Sequence, residues 1–289
     1  MAEAYKSYER AYLEIGNVCN LNCSFCQKSK REKRIMTTEE TALTLSRLAG
    51  YVKYVYLHVM GEPLLHPALD EILLQIKKYG MRACITTNGT LLGKRGDALL
   101  RHADVLHKVS VSLHAPEGNG NYELTEYVET VCGFARAAAA AGIFTVLRLW
   151  NLDSELHSGK NTQNAKIEGM IRERLGDGWQ RRGMGFKVCE RVFIEYGEVF
   201  EWPSEASGEE RDRLYCHALS GQLAVLSDGT VVPCCLDADG HMALGNIFKD
   251  ELGRILASPR AVAIREGFAK KQAVEPLCRK CTYARRFKT

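Results

Sequence analysis

The stretch VCNLNCSFC at residues 18–26 places Cys19, Cys23 and Cys26 in one short loop. It follows RAYLEI, whose apolar and aromatic residues predict a β-strand that leads into the loop. Three cysteines alone do not close a four-coordinate zinc site. Three thiolates on a 4Fe–4S cluster, in contrast, leave one iron open to a small molecule. The loop would stand at the carboxyl end of a strand, which is where β/α folds bind ligands.

The whole chain has 289 residues and 11 cysteines, with 46% hydrophobic and 26% charged residues, a composition that excludes a disordered chain. The N-terminal MAEAYKSYER has no apolar signal core, and no apolar run reaches the roughly 18 residues of a membrane span. We therefore expect a cytoplasmic protein without a membrane segment, in which cysteines serve as metal ligands, catalytic groups or buried thiols. For the first three cysteines, a zinc site completed by His58 or His66, or three unrelated thiols, remain alternatives.

The pattern beyond this loop alternates predicted strands and helices six times up to FKVCERVFIEY at 186–196. Such alternation predicts parallel βαβ units, wound as a barrel or as an open sheet. Composition changes after residue 197, and the turn Asp228-Gly229 between two short apolar runs predicts a β-hairpin. We therefore expect two domains, residues 1–204 and residues 205–289.

A second group of cysteines lies in the predicted C-terminal domain. It consists of Cys216, Cys234 or its neighbour Cys235, and the CxxC pair Cys278 and Cys281. Four thiolates can fully ligate a 4Fe–4S cluster or a structural zinc ion, and spacing alone leaves both open.

Further motifs follow the first cysteines in order, namely MGEP (60–63), TTNGT (86–90) and VSLH (111–114). With CxxxCxxC, this series resembles the radical S-adenosylmethionine (radical SAM) superfamily over about residues 10–200. Met60 stands where the family has glycine, and His114 where aspartate is common. The resemblance implies an α/β fold, a partial (β/α)6 TIM-like barrel. It assigns the binding of S-adenosylmethionine (SAM) to Phe25, Gly61, Glu62, Asn88, Ser112, Arg148 and Asn151.

The C-terminal series resembles the SPASM/twitch extension of these enzymes, in its shorter form with one auxiliary 4Fe–4S cluster. In that family the ligand usually follows a Val-Pro step, which favours Cys234 over Cys235. The resemblance implies that the open iron chelates SAM and that a donor such as flavodoxin or ferredoxin supplies one electron. The sulfonium then breaks, and the resulting 5′-deoxyadenosyl radical abstracts hydrogen from a substrate.

Four functions follow as hypotheses. The first is dehydrogenation of a small molecule or peptide, with the auxiliary cluster as electron acceptor. The second is epimerisation with Cys235 as hydrogen donor. The third is RNA modification, because the basic segments 172–182 and 283–288 contain aromatic residues. The fourth is a non-enzymatic metal-binding module. Substrate-binding groups are expected in the loops at the barrel mouth, within residues 114–122 and 151–205.

Overall fold

The computed structural model describes residues 8–115, 119, 123–152, 163–198, 201–204 and 209–287. Its centre is a sheet in which five parallel strands pair in chain order. A sixth parallel strand pairs with the fifth. The strands are β1 (Tyr8–Leu13), β2 (Val52–Tyr56), β3 (Arg82–Thr87), β4 (Leu106–Ser112), β5 (Phe144–Leu152) and the later β8 (Val192–Glu198). The predicted partial (β/α)6 barrel is confirmed, and the barrel is not closed.

Helices connect these strands and pack side by side. They are α1 (Thr38–Leu48), α2 (Leu69–Lys78), α3 (Leu92–Arg101), α4 (Leu124–Ala140) and α5 (Asn164–Leu175). Thr37 and Glu40 form a capping box at the start of α1, which satisfies backbone N–H groups of the first turn. Among the described residues, no helix is long and apolar enough to cross a lipid bilayer.

The sequence predicts one strand over residues 186–196, and this prediction is wrong. The chain forms a short antiparallel edge, β6 (Gln180–Arg182) and β7 (Gly185–Cys189), before it turns back into β8. The turn lies at Glu190–Arg191, where Arg191 adopts a left-handed backbone conformation with φ of 57°. The β-forming residues on both sides conceal this turn, because neither glycine nor asparagine marks it.

The C-terminal part adds to the same sheet. Strand β9 (Gln222–Val225) pairs parallel to β1, and the predicted hairpin to β10 (Thr230–Val232) is confirmed by antiparallel pairing. The remaining elements are β11 (Gly245–Asn246), α6 (Leu252–Leu256), α7 (Pro259–Ala269), α8 (Pro276–Arg279) and a 3₁₀ turn at Tyr283–Arg286. The predicted domain boundary falls at residues 204/205, next to a segment outside the described residues. The division into two domains stays a prediction.

Alternation along the strands decides what faces the barrel interior. On β1, Ala11 and Leu13 are fully buried in the apolar core, whereas Tyr12 lines an internal cavity of about 560 Å³. Lys108 of β4 and Arg148 of β5 line the same cavity. Successive residues of a strand point to opposite faces, so one face of each strand builds the core and the other builds a polar interior, here called the lumen.

Candidate active site

The three-cysteine loop leaves β1 at its carboxyl end, and amide groups from distant loops reach two of its thiols. The Asn119 amide Nδ2 donates to Cys23 Sγ at 3.1 Å, and Asn88 Nδ2 lies 3.9 Å from Cys19 Sγ. Burial, together with neighbouring cysteines, raises the pKa of Cys19 and Cys23. Thiols crowded in this way become thiolates beside strongly positive metal ions, so this donor set fits an iron–sulfur cluster. Asn119 was missed in the sequence, since no motif marks it.

Gly61 of the MGEP segment lies against the backbone that leads into this loop. A Cβ atom on Gly61 would stand 2.4 Å from the carbonyl oxygen of Gly16 and 2.8 Å from that of Val18. The neighbouring Glu62 backbone N–H donates to the Val18 carbonyl at 2.9 Å. The close approach requires a residue without a side chain, so Gly61 holds the two segments together through backbone contact.

Replacing Gly61 with alanine is expected to lower the free energy of unfolding by about 3 kcal/mol and to reduce iron incorporation, because the added methyl overlaps backbone. Gly50 is a matched control, since it has the same φ of 79° with no atom within 4 Å of its Cβ position. Gly50→Ala carries only the conformational cost, about 1 kcal/mol. Urea unfolding and iron analysis measure both variants, and equal losses would contradict the packing argument.

The Glu62 carboxylate ties the MGEP segment to the TTNGT turn. Its Oε2 accepts from the Asn88 backbone N–H at 2.7 Å, and its Oε1 accepts from the Leu64 backbone N–H at 3.0 Å. Burial raises the pKa of Glu62, although these hydrogen bonds partly oppose the shift. Asn88 continues the connection through Nδ2, which donates to Asn20 Oδ1 at 3.0 Å within the cysteine loop. Glu62 and Asn88, which were both predicted to bind SAM, therefore position the loop that carries Cys19.

Two other predicted residues lie at the cavity wall, together with His114. Phe25 and Ser112 line it, and the Phe25 ring stands 5.0 Å from the His114 ring. Burial lowers the pKa of His114 to about 4. The ring of His114 contacts the backbone of the neighbouring strand, with Nδ1 at 3.2 Å from the Arg148 carbonyl oxygen. His114 is therefore neutral and cross-links β4 to β5.

Arg148 and Asn151, both on β5, have different surroundings in the structure. Arg148 points into the lumen, where its guanidinium stacks on Trp150 at 4.6 Å and donates to Thr86 Oγ1 at 3.4 Å. Asn151 is buried and is not among the cavity-lining residues. Its side-chain amide exchanges two hydrogen bonds, of 2.9 and 3.0 Å, with that of Asn164 at the start of α5. The structure does not bring Asn151 to the other predicted SAM-binding residues.

The C-terminal cysteines converge on this cavity, whose wall includes Cys216, Cys234, Cys278 and Cys281. Burial raises the pKa of Cys216 to about 11, and the neighbouring Cys281 adds to the shift. The pKa of Cys234 is raised by burial and then by Cys235, Cys216 and Cys278. Four thiols that repel one another as anions fit a metal cluster, whose positive charge makes thiolates stable.

Cys235 lies beside this group and also reaches Tyr12 of β1. The Tyr12 hydroxyl is its hydrogen-bond partner, and burial raises the pKa of Cys235 to about 12, which keeps it a thiol. Cys235 also lines the cavity.

Comparison with known proteins completes this picture. Residues 13–155 match the radical SAM superfamily, and residues 216–282 match SPASM, an iron–sulfur cluster-binding domain. The chain belongs to the radical SAM superfamily. These domains imply 4Fe–4S clusters and SAM as its cofactors.

Individual relatives resemble this radical SAM protein in part or in fold. The probable GTP 3′,8-cyclase of Pyrobaculum aerophilum is 31% identical over 115 residues, which are 39% of this chain and 36% of that protein. BtrN in complex with AdoMet and 2-DOIA aligns with a TM-score of 0.60 and 18% identity, covering 96% of this chain and 94% of BtrN. The anSMEcpe enzyme with AdoMet and a Cp18Cys peptide aligns with a TM-score of 0.61 and 14% identity, over 95% of this chain and 86% of that one. The last two show the fold.

A buried ion pair within the radical SAM region, which sequence patterns do not reveal, is hydrogen-bonded to the SPASM domain. Glu14 at the end of β1 is fully buried, and its Oε1 accepts from Arg31 Nη2 at 2.5 Å and from Ser227 Oγ at 2.8 Å. Arg31 Nε donates to the Ala238 carbonyl at 2.7 Å, just beyond Cys234 and Cys235. The loop that carries the first three cysteines is thus fastened to the loop that carries the auxiliary ones.

Several predicted substrate-binding positions, Asp153, Glu155 and His157, lie outside the described residues. Of the described polar residues in the lumen, the sequence analysis missed Lys108. Strict alternation in KVSVS of β4 could have found it, because Lys108, Ser110 and Ser112 share one face of the strand.

Proposed function

We propose that this radical SAM enzyme is a dehydrogenase that removes two hydrogen atoms from a small molecule or peptide bound in the lumen. One observation carries the proposal. A single cavity is lined by Phe25 of the first cysteine loop, by the lumen residue Arg148 and by all four C-terminal cysteines. A substrate radical formed in the lumen would therefore share its cavity with the auxiliary cluster, a ready electron acceptor.

The ligand assignments form part of the proposal. Cys19, Cys23 and Cys26 hold the SAM-binding cluster, and the auxiliary cluster is held by Cys216, Cys234, Cys278 and Cys281. When bound, these clusters supply one-electron chemistry, so that the substrate gives a hydrogen atom to the 5′-deoxyadenosyl radical, a proton to solvent and an electron to the auxiliary cluster. A flavodoxin or ferredoxin is proposed as the donor of the first electron.

The proposed roles of the SAM-site residues differ. Phe25, Ser112 and Arg148 contact SAM at the cavity wall, and Gly61 presents the backbone near which its amino group binds. Glu62 and Asn88 hold the surrounding loops in place through the hydrogen bonds described above. We assign Asn151 to positioning α5, because Asn164 engages its amide.

A second candidate function, epimerisation, is favoured by the position of Cys235 in the cavity wall. In this reaction the thiol returns a hydrogen atom to the opposite face of the substrate radical. RNA modification has no comparable support, because Trp179 of the basic segment is engaged in the fold. Its indole lies 3.8 Å from the Arg172 guanidinium, and its Nε1 donates to the Gly176 carbonyl.

The two enzyme functions predict different products when the reconstituted enzyme, SAM and a reductant act on a small-molecule extract in D₂O. A dehydrogenase yields a compound lighter by two hydrogen atoms, and Cys235→Ala retains this activity. An epimerase yields a product that carries one deuterium from the exchanged thiol, and Cys235→Ala abolishes it. High-resolution mass spectrometry distinguishes the outcomes.

Cys84 offers the matched control for that experiment, because it is a buried thiol whose hydrogen-bond partner is the cavity-lining Tyr56. Cys84→Ala is expected to give the same product as the wild type. A deuterated product that disappears in Cys235→Ala but not in Cys84→Ala would overturn the dehydrogenase proposal in favour of epimerisation.

A further inference from the structure

The deep end of the lumen concentrates positive charge. Lys108 of β4 and Arg148 of β5 both line the cavity. Their charges interact, since burial and then the nearby Arg148 lower the pKa of Lys108. Arg148 reaches this region from the side, held by its stacking on Trp150 and its hydrogen bond to Thr86.

Protein carboxylates neutralise this charge incompletely. Glu195 Oε2 lies 3.9 Å from Arg148 Nε, and the Glu195 side chain is 47% exposed. Within the described part of the chain, no carboxylate lies at ion-pair distance from Lys108, whose ammonium faces the Tyr56 ring at 5.4 Å. Two cations therefore share one solvated carboxylate. A partly buried cation without a counterion is costly, which favours an anionic ligand as its counterpart.

Buried polar atoms around the two cations also lack partners. His58 Nδ1, Ser110 Oγ and Arg148 Nε are buried without a hydrogen-bond partner among the described residues. Burial, with the charges of Arg148 and Lys108, lowers the pKa of His58 to about 3, so the ring is neutral. Buried polar groups are nearly always hydrogen-bonded in folded proteins, and two exceptions on one cavity wall, His58 and Arg148, indicate a place for a polar ligand.

Position along β4 separates this place from the SAM site. Ser112 pairs with Arg148 across the sheet, whereas Lys108 pairs with Phe144. Lys108 lies four residues before Ser112 on the same face, which is about 13 Å deeper in the barrel at the usual rise of a strand. A group bound at Lys108 would thus lie beneath SAM and leave the reacting carbon between the two.

We infer that Lys108 binds an anionic group of the substrate, a carboxylate or a phosphate, at the deep end of the lumen. Arg and Lys provide charge-assisted hydrogen bonds to such oxygens. The neutral His58, which lines the same cavity, adds an uncharged polar contact. The inference rests on the proposed function only in taking the lumen as the substrate site.

The test measures anion binding without turnover. Enzyme with both clusters, saturated with SAM and without reductant, is titrated with inorganic phosphate and with acetate by calorimetry. We expect the wild type to bind at least one of them and Lys108→Met to weaken that binding about tenfold or more, since a charged contact is lost. Lys108→Arg should keep it. Lys53→Met removes an exposed lysine from β2 and should bind as the wild type does.

The two probes distinguish the sources of the anion. Tighter phosphate binding assigns a phosphorylated substrate, and equal or tighter acetate binding assigns a carboxylate. Lys108→Gln repeats the test with a second neutral side chain, and iron content verifies that each variant is assembled. Absence of binding of both anions, or unchanged affinity in Lys108→Met and Lys108→Gln, would overturn the inference. Wild type that binds an anion but forms no 5′-deoxyadenosine with reductant would contradict the proposed function and leave this site standing.

Discussion

Replacing Cys19, Cys23 and Cys26 together with alanine is expected to abolish formation of 5′-deoxyadenosine from SAM. The three thiols lie in one loop, at the carboxyl end of β1. The auxiliary cysteines should still bind iron. Reconstituted wild type should therefore carry about eight irons per chain and the variant about four.

Anaerobic assay by liquid chromatography measures the nucleoside, and iron analysis measures the clusters. Cys189 provides the control, since this partly exposed thiol of β7 belongs to neither cysteine group. Cys189→Ala should match the wild type in both measurements. Continued SAM cleavage by the triple variant would refute the assignment of the first cluster, and four irons in the wild type would refute the second cluster.

Breaking the ion pair between Glu14 and Arg31 is expected to have the largest effect on stability. Arg31→Met removes the countercharge of a fully buried carboxylate, and such changes cost about 3–5 kcal/mol. It also removes the hydrogen bond to the Ala238 carbonyl. Both cysteine loops should then loosen, so a lower iron content should accompany a lower free energy of unfolding.

Urea unfolding of Arg31→Met is best compared with Arg34→Met. Arg34 pairs with Glu40 at 2.6 Å, but both side chains are about a third exposed, at 31% and 27%. Solvent screens such a pair, so its loss should cost about 1 kcal/mol or less. The double variant Glu14→Gln with Arg31→Met removes both charges and should recover part of the stability. Similar losses in the two single arginine variants would show that the buried pair does not hold the loops together.

Much of the fold could be predicted because its signals are local. The capping box at Thr37 and the hairpin around Asp228-Gly229 involve neighbouring residues, whose chemistry is readable in a few letters. The turn at Glu190–Arg191 contains no residue that is typical of turns. One strand was therefore predicted where the structure has two, β7 and β8. Likewise, a hairpin signal cannot say which strand it will join, and the pairing of β9 with β1 emerged only in the structure.

The candidate site divides in the same way. The spacing of the cysteines and the family resemblance of the motifs gave the predicted site residues, but Asn151 turns toward Asn164 instead of the cavity. Asn119 donates to Cys23 across 96 positions of sequence, and nothing local anticipates that contact.

By itself, the sequence determined the class of chemistry, because the motifs that resemble the radical SAM superfamily, beginning with Cys19, Cys23 and Cys26, are short segments that follow one another in order along the chain. Only the tertiary structure decided which side chains share the lumen. Lys108 and Arg148 lie 40 positions apart, yet the parallel register of β4 and β5 places them in the same cavity. The same holds for Glu14, Arg31 and Ser227, whose contact depends on β9 joining β1. Strand register is set by pairing between segments that are distant in sequence. Charged side chains on those segments therefore come into contact only in the folded chain.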